Sequence, residues 1–128
     1  MIVIDASCAL KLLLKQGNAE ALGDRILSEE IHAPHLIDVE VLSGLRRLLR
    51  LRQVSLERAR DGLEWFLELT IERHAHAELA WRIFDLRDSL SAYDAAYVAV
   101  AELAQAPLLT ADGRLARAHG HRARIEAI

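Results

Sequence analysis

Short apolar runs alternate along this chain with longer stretches in which apolar residues recur every three or four positions. Ile2, Val3 and Ile4 form a run of β-branched residues, the pattern of a buried strand. Residues 31–33, 70–73, 108–110 and 124–128 are further strand candidates, the first closed by Pro34. Between them the spacing predicts helices. Ser7 is placed to cap one over 9–15, which Gly17 ends, and a second covers 19–28. A longer one runs over 36–51, with Ile37, Val41, Leu45, Leu48 and Leu49 at helical spacing. Ser55 caps the next, whose Leu63, Phe66 and Leu67 make an apolar stripe. Trp81 and Phe84 share a face of a helix over 77–87 and read as core. Ser91-Ala92-Tyr93-Asp94 has the capping-box form and opens a helix reaching about residue 104. Asp112 caps a last short helix over 114–119. Strands alternating with helices predict an α/β fold on a largely parallel sheet.

A chain of 128 residues can bury one core without staples, and no repeat or linker divides it, so a single domain over 1–128 is expected. Hydrophobic residues at 52% and charged residues at 27% fit a folded protein rather than a disordered one. Aromatics at 5% leave the core to Leu, Val, Ile and Ala. Cys8 is the only cysteine, so no internal disulfide forms, as suits a reducing cytosol. Its place among Ala6, Ala9 and Leu10 reads as packing rather than as a nucleophile. No apolar run approaches the roughly 20 residues that cross a bilayer, and the first residues lack the basic start of a signal peptide. A cytoplasmic location is expected. The net charge of −3 is unlike that of a bulk nucleic-acid binder. Arginines nevertheless cluster at Arg46, Arg47, Arg50 and Arg52, and again at Arg114, Arg117, Arg122 and Arg124. The histidine pairs His74/His76 and His119/His121 lack a third convergent ligand for zinc and read as surface residues, as do His32 and His35.

The acids carry the chemistry. Parallel sheets place their sites at the carboxyl ends of strands. Asp5 directly follows the first strand, and Asp112 lies two positions beyond Thr110 at the end of another. Asp94 sits in the first turn of a helix, and Glu40 in the first turns of a second. If strand ends and helix starts share one edge, these carboxylates converge. Close carboxylates repel one another, and a hard divalent cation such as Mg²⁺ or Mn²⁺ offsets that repulsion. Bound near a phosphodiester, such an ion supports hydrolysis. Each acid also has a plainer reading as a turn, cap or solvated residue, and on spacing alone Asp38 is as good an inward acid as Glu40.

The ordered set resembles the PIN-domain family, and in particular the VapC-type toxins of prokaryotic toxin–antitoxin pairs. The likeness begins at Ile2-Val3-Ile4-Asp5-Ala6-Ser7 and continues through Ala33-Pro34, Val39-Glu40-Val41 and Leu45-Arg46-Arg47. It is strongest over Ser91-Ala92-Tyr93-Asp94-Ala95-Ala96-Tyr97 and closes with Leu108-Leu109-Thr110-Ala111-Asp112 followed by Arg114-Leu115-Ala116. The resemblance implies a three-layer α/β/α sandwich around a mostly parallel twisted sheet. It implies an endoribonuclease dependent on Mg²⁺ or Mn²⁺, with Asp5, Glu40, Asp94 and Asp112 as the catalytic, metal-holding acids. It thereby selects Glu40 over Asp38, and makes Ser7 and Thr110 supporting residues that orient the site. It further implies RNA as substrate, a small antitoxin as partner, and a homodimer. The apolar residues Leu48, Leu49, Leu51, Trp65 and Phe66 are candidates for the protein–protein surfaces, with Phe66 also readable as core. Arg46 and Arg50 are candidate contacts to RNA or to an acidic antitoxin tail.

Three rivals remain at this level. A phosphoacceptor receiver domain would also use strand-end acids, but needs a late lysine, and this chain has none beyond Lys15. A non-catalytic PIN module would bind RNA or protein without cutting. A DNA- or flap-directed nuclease would need insertions for which the chain has little room.

Overall fold

The computed structural model describes residues 1–128. In chain order its elements are β1 (Ile2–Ile4), α1 (Ala6–Leu13), α2 (Ala19–Ser28), β2 (Ile31–Pro34), α3 (Leu36–Arg50) and α4 (Leu56–Glu68). There follow β3 (Ile71–His74), α5 (His76–Asp85), α6 (Ala92–Ala104), β4 (Leu108–Thr110), α7 (Gly113–Ala116) and β5 (Ile125–Ala127). The five strands form one sheet in the order β3-β2-β1-β4-β5. Every neighbouring pair is parallel, so the sheet is wholly parallel rather than mostly so.

β1 and β4 are buried along their whole length, which requires cover on both faces of the sheet. Helices α1 to α4 pack on one another and reach the strands through α1 and α3. Helix α6 lies over β1, β2 and β4, with α5 packed against it. Residues 95–101 of α6 are all buried. That stretch is mainly alanine and valine, and a helix apolar all round belongs inside. Close approach also shapes the other layer. A Cβ built on Gly62 of α4 would stand 2.7 Å from Leu13 Cδ1 and 3.2 Å from the Leu13 carbonyl oxygen.

Several expectations need correction. Asp5, not Ser7, caps α1: its carboxylate accepts the Cys8 N–H, and the helix starts at Ala6. Trp81 and Phe84 are not core; they are 81% and 57% exposed. Helix α5 buries Leu79 instead, so its apolar stripe is wider than the layer beneath it. Leu67 is likewise exposed. Of the five residues expected at protein–protein surfaces, Phe66 is core and Leu48, Leu49 and Trp65 pack against it; Leu51 is exposed. His32 is not a surface residue. It is buried in β2, with Nδ1 2.9 Å from His74 Nε2 on the adjacent strand and Nε2 3.1 Å from Glu30 Oε1. Cys8 is buried as expected, and burial pushes its thiol pKa far up.

Candidate active site

Strand order reverses between β1 and β4, because β2 and β3 extend from one side of β1 while β4 and β5 extend from the other. Such a switch point opens a crevice at the carboxyl ends of the two strands. Asp5 follows β1 and Thr110 ends β4, so the first two site residues meet for topological reasons.

Asp5 is buried, and its carboxylate is held from three sides. Oδ1 accepts from the Ser7 hydroxyl at 2.7 Å and from the Cys8 amide at 2.8 Å. Oδ2 accepts from the Thr110 hydroxyl at 2.5 Å. Each hydroxyl is itself fixed by a backbone amide: Ser7 Oγ accepts from Ala111 N–H at 2.9 Å, and Thr110 Oγ1 from Asp112 N–H at 3.0 Å. A hydroxyl has one proton, and both protons go to Asp5. The 3.3 Å Ser7–Thr110 contact therefore follows from a shared acceptor rather than from a bond between them. Burial raises the Asp5 pKa; the three hydrogen bonds oppose the rise, and the charge of Asp112 adds to it. The result is a buried carboxylate that cannot rotate.

Asp112 is the N-cap of α7. Its Oδ1 accepts from the amides of Arg114 at 2.8 Å and Leu115 at 3.4 Å. Asp94 enters from the first turn of α6. Ser91 Oγ accepts the Asp94 amide at 3.2 Å, which is half of a capping box. The other half does not form. The Asp94 carboxylate turns instead to Arg114, whose Nη2 donates to Asp94 Oδ2 at 2.8 Å and to Asp112 Oδ2 at 3.1 Å. Capping alone therefore does not account for where Asp94 points.

Glu40 projects from α3. Its Oε1 is buried and accepts no hydrogen bond, and the buried hydroxyl of Tyr97 on α6 is also unpartnered. Tyr97 lies close enough to act on Glu40, but the pair falls outside ordinary hydrogen-bond geometry. Burial raises the Glu40 pKa; Tyr97 lowers it, and the charges of Asp94 and Asp5 raise it further. Asp38, the spacing alternative, is committed elsewhere: Arg73 grips both its oxygens at 2.8 Å. Arg46 and Arg50 are exposed on α3 and make no ion pair.

Sequence reasoning did not single out two neighbours of these acids. Arg114 stands in the sequence as one arginine of a C-terminal group and in the closing motif after Asp112, in neither case with a role of its own. Tyr97 lay within the quoted motif, one turn beyond Asp94, without a role of its own. Tyr93 is exposed, and Arg87 rests its guanidinium 4.4 Å from the Phe84 ring centre.

The donor set suits a hard divalent cation. It is all carboxylate, with mutually repelling charges and one buried oxygen that has no partner. As the side chains stand, no three acidic, histidine or cysteine groups close tightly enough to enclose an ion. Arg114 supplies positive charge to two of the four acids.

The chain is similar to known proteins over nearly its whole length. Residues 2–120 match the family model of the PIN domain. Ribonuclease VapC9 of Mycobacterium tuberculosis is 45% identical over 115 residues, covering 90% of this chain and 88% of the relative. Ribonuclease VapC12 of the same organism is 38% identical over 128 residues, covering 100% of this chain and 99% of the relative. The crystal structure of PAE2754 from Pyrobaculum aerophilum superposes with a TM-score of 0.69 over 97% of this chain and 81% of that one. At 23% identity it speaks to fold.

Proposed function

Because this chain belongs to the PIN-domain family, we propose that it is a metal-dependent endoribonuclease that acts as the toxin of a toxin–antitoxin pair. The observation that supports this best is pairwise: Arg114 ties Asp94 to Asp112 beside the switch point, and Glu40, with Oε1 buried, feels the charges of Asp94 and Asp5. Buried polar atoms ordinarily have a partner, and even half-buried Asp38 is gripped by Arg73. The VapC relatives are named ribonucleases, which supports RNA as the substrate class.

In this reading Asp5, Glu40, Asp94 and Asp112 hold Mg²⁺ or Mn²⁺. Such an ion supplies positive charge to the scissile phosphate and makes an attacking water more acidic. Ser7 and Thr110 keep Asp5 in one orientation, so its oxygens are ready without a rotational cost when a ligand arrives. Asp112 gives one oxygen to the start of α7 and keeps the other toward the site. The exposed Arg46 and Arg50 are proposed to touch either the RNA backbone or an acidic antitoxin tail. A small cognate antitoxin and a second copy of this chain are the proposed protein partners. No helix is long and apolar enough to cross a membrane, and the site of action is proposed to be the cytoplasm.

Calorimetric titration with Mn²⁺ separates this reading from a non-catalytic module. Wild-type protein is expected to bind the ion, and Asp94→Asn to bind it at least ~10-fold more weakly, the scale on which loss of a coordinating-shell group is felt. Absence of binding to folded wild-type protein would favour the inert module.

A further inference from the structure

Arg114 occupies an unusual position for an exposed arginine. It is 66% exposed, yet one nitrogen, Nη2, spans two carboxylates from different elements, Asp94 of α6 and Asp112 at the start of α7. Within the protein neither Nε nor Nη1 donates a hydrogen bond. Exposed ion pairs contribute little to stability, so tying down a solvated side chain is a weak reason for this arrangement. The two oxygens that Nη2 holds belong to acids assigned above to the cation. The guanidinium and a divalent ion therefore compete for the same charge, and each repels the other at contact distance.

We infer that Arg114 is the exchangeable counter-ion of this site: it neutralises Asp94 and Asp112 until a divalent cation takes them, and then turns its guanidinium to the phosphate of the bound RNA. The inference rests on the metal-nuclease reading and adds a substrate-positioning residue to it. Three features support the second half. The Arg114 amide is pinned by Asp112 Oδ1 at 2.8 Å, so its Cα stays beside the site when the side chain lets go. Exposure leaves the side chain free to swing. Its planar fork of donors matches two oxygens of a phosphodiester, which the Nη2-only contact leaves largely unused. Because the arginine and the ion exchange rather than coexist on the carboxylates, the cationic group becomes available to RNA only in the loaded site.

The test uses Arg114→Gln and Arg114→Lys in the full chain, with circular dichroism to establish folding. Calorimetry with Mn²⁺ is the first readout. Arg114→Gln is expected to bind Mn²⁺ roughly fivefold more tightly than wild type, the scale of an exposed ion pair removed, with Arg114→Lys between them. The second readout is binding of a labelled single-stranded RNA oligonucleotide, followed by anisotropy in Ca²⁺ and in chelator. Ca²⁺ takes the same oxygen ligands. With Ca²⁺, Arg114→Gln is expected to bind RNA more weakly than wild type and to lose about 0.7 from the slope of log affinity against log salt, one single-strand phosphate contact. In chelator the two proteins should bind alike. Unchanged or weaker Mn²⁺ binding by Arg114→Gln would overturn the inference while leaving the metal site intact, as would an RNA defect of equal size in chelator. Absence of Mn²⁺ binding in both proteins would instead overturn the metal-nuclease reading, and this inference with it.

Discussion

Replacing Thr110 by valine isolates what holds Asp5. The two side chains have nearly the same shape, so no cavity opens at this fully buried position, and only the hydroxyl is lost. The hydroxyl donates to Asp5 Oδ2 and accepts from the Asp112 amide. The amide lies at a half-buried residue and can turn to water; the carboxylate oxygen is buried and cannot. A hydrogen bond to a charged group contributes about 1.5–3 kcal/mol, so Thr110→Val should cost about 2 kcal/mol in metal-free protein near neutral pH. The pH dependence fixes the cause. Burial raises the Asp5 pKa above its unfolded value, so the folded state takes up its proton first as pH falls. Stability therefore declines as pH rises from the unfolded to the folded pKa. Losing the Thr110 donor pushes the folded pKa higher still, because that bond lowers it. The deficit of the variant should be complete above both folded values and shrink as pH falls through them, because protonated Asp5 depends less on the Thr110 donor. Urea unfolding with chelator, at neutral and at acidic pH, measures it. A variant as stable as wild type at neutral pH, or one whose deficit is the same at both, would refute the reasoning.

Other substitutions probe other parts of the account. Glu40→Gln removes a charge that burial, Asp94 and Asp5 all disfavour; metal-free protein should gain stability at neutral pH, the gain should fade as pH falls through the raised Glu40 pKa, and cleavage should be lost, as thermal melts and an RNA gel would show. Gly62→Ala drives a Cβ into Leu13, including its carbonyl oxygen; overpacking of about 2 kcal/mol against about 1 kcal/mol of helix propensity leaves a net loss of about 1 kcal/mol, read from the urea midpoint. Trp81→Ser should change the stability of the isolated chain by less than about 0.5 kcal/mol in the same assay, since the ring is solvated.

The parts of the fold that pattern could reach were those in which local chemistry and burial point the same way. Helix α6 is such a case: Ser91 caps it, and an alanine-rich stretch suits burial on every side. β1 and β4 are as plain, being short, apolar and next to acids. Pattern misled where two residues of similar chemistry compete. Asp5 and Ser7 are both good caps; the structure gives the cap to Asp5 and leaves Ser7 to orient that carboxylate and take the Ala111 amide. It misled again at Trp81 and Phe84, because helical spacing identifies an apolar face but not whether a layer covers it. Buried His32 depends on a partner 42 residues away, His74, which only strand register brings near. Within the site, spacing left Glu40 and Asp38 equal, and the difference lies in Arg73, on a strand that spacing does not connect to either. The bridge made by Arg114 depends on where α6 and α7 start relative to each other, again a property of the assembled sheet.

The most direct test of the central claim is cleavage of total cellular RNA by purified protein with Mn²⁺, with Mg²⁺ and with chelator, beside Asp5→Asn. Asn keeps the shape of the side chain and can still accept at one oxygen, so the variant is expected to fold, and circular dichroism establishes that it does. Discrete, metal-dependent cutting by wild type, lost in chelator and in Asp5→Asn, is the result expected of a carboxylate-held cation acting on phosphodiesters. Cutting that survives chelator, or full activity in folded Asp5→Asn, would contradict it.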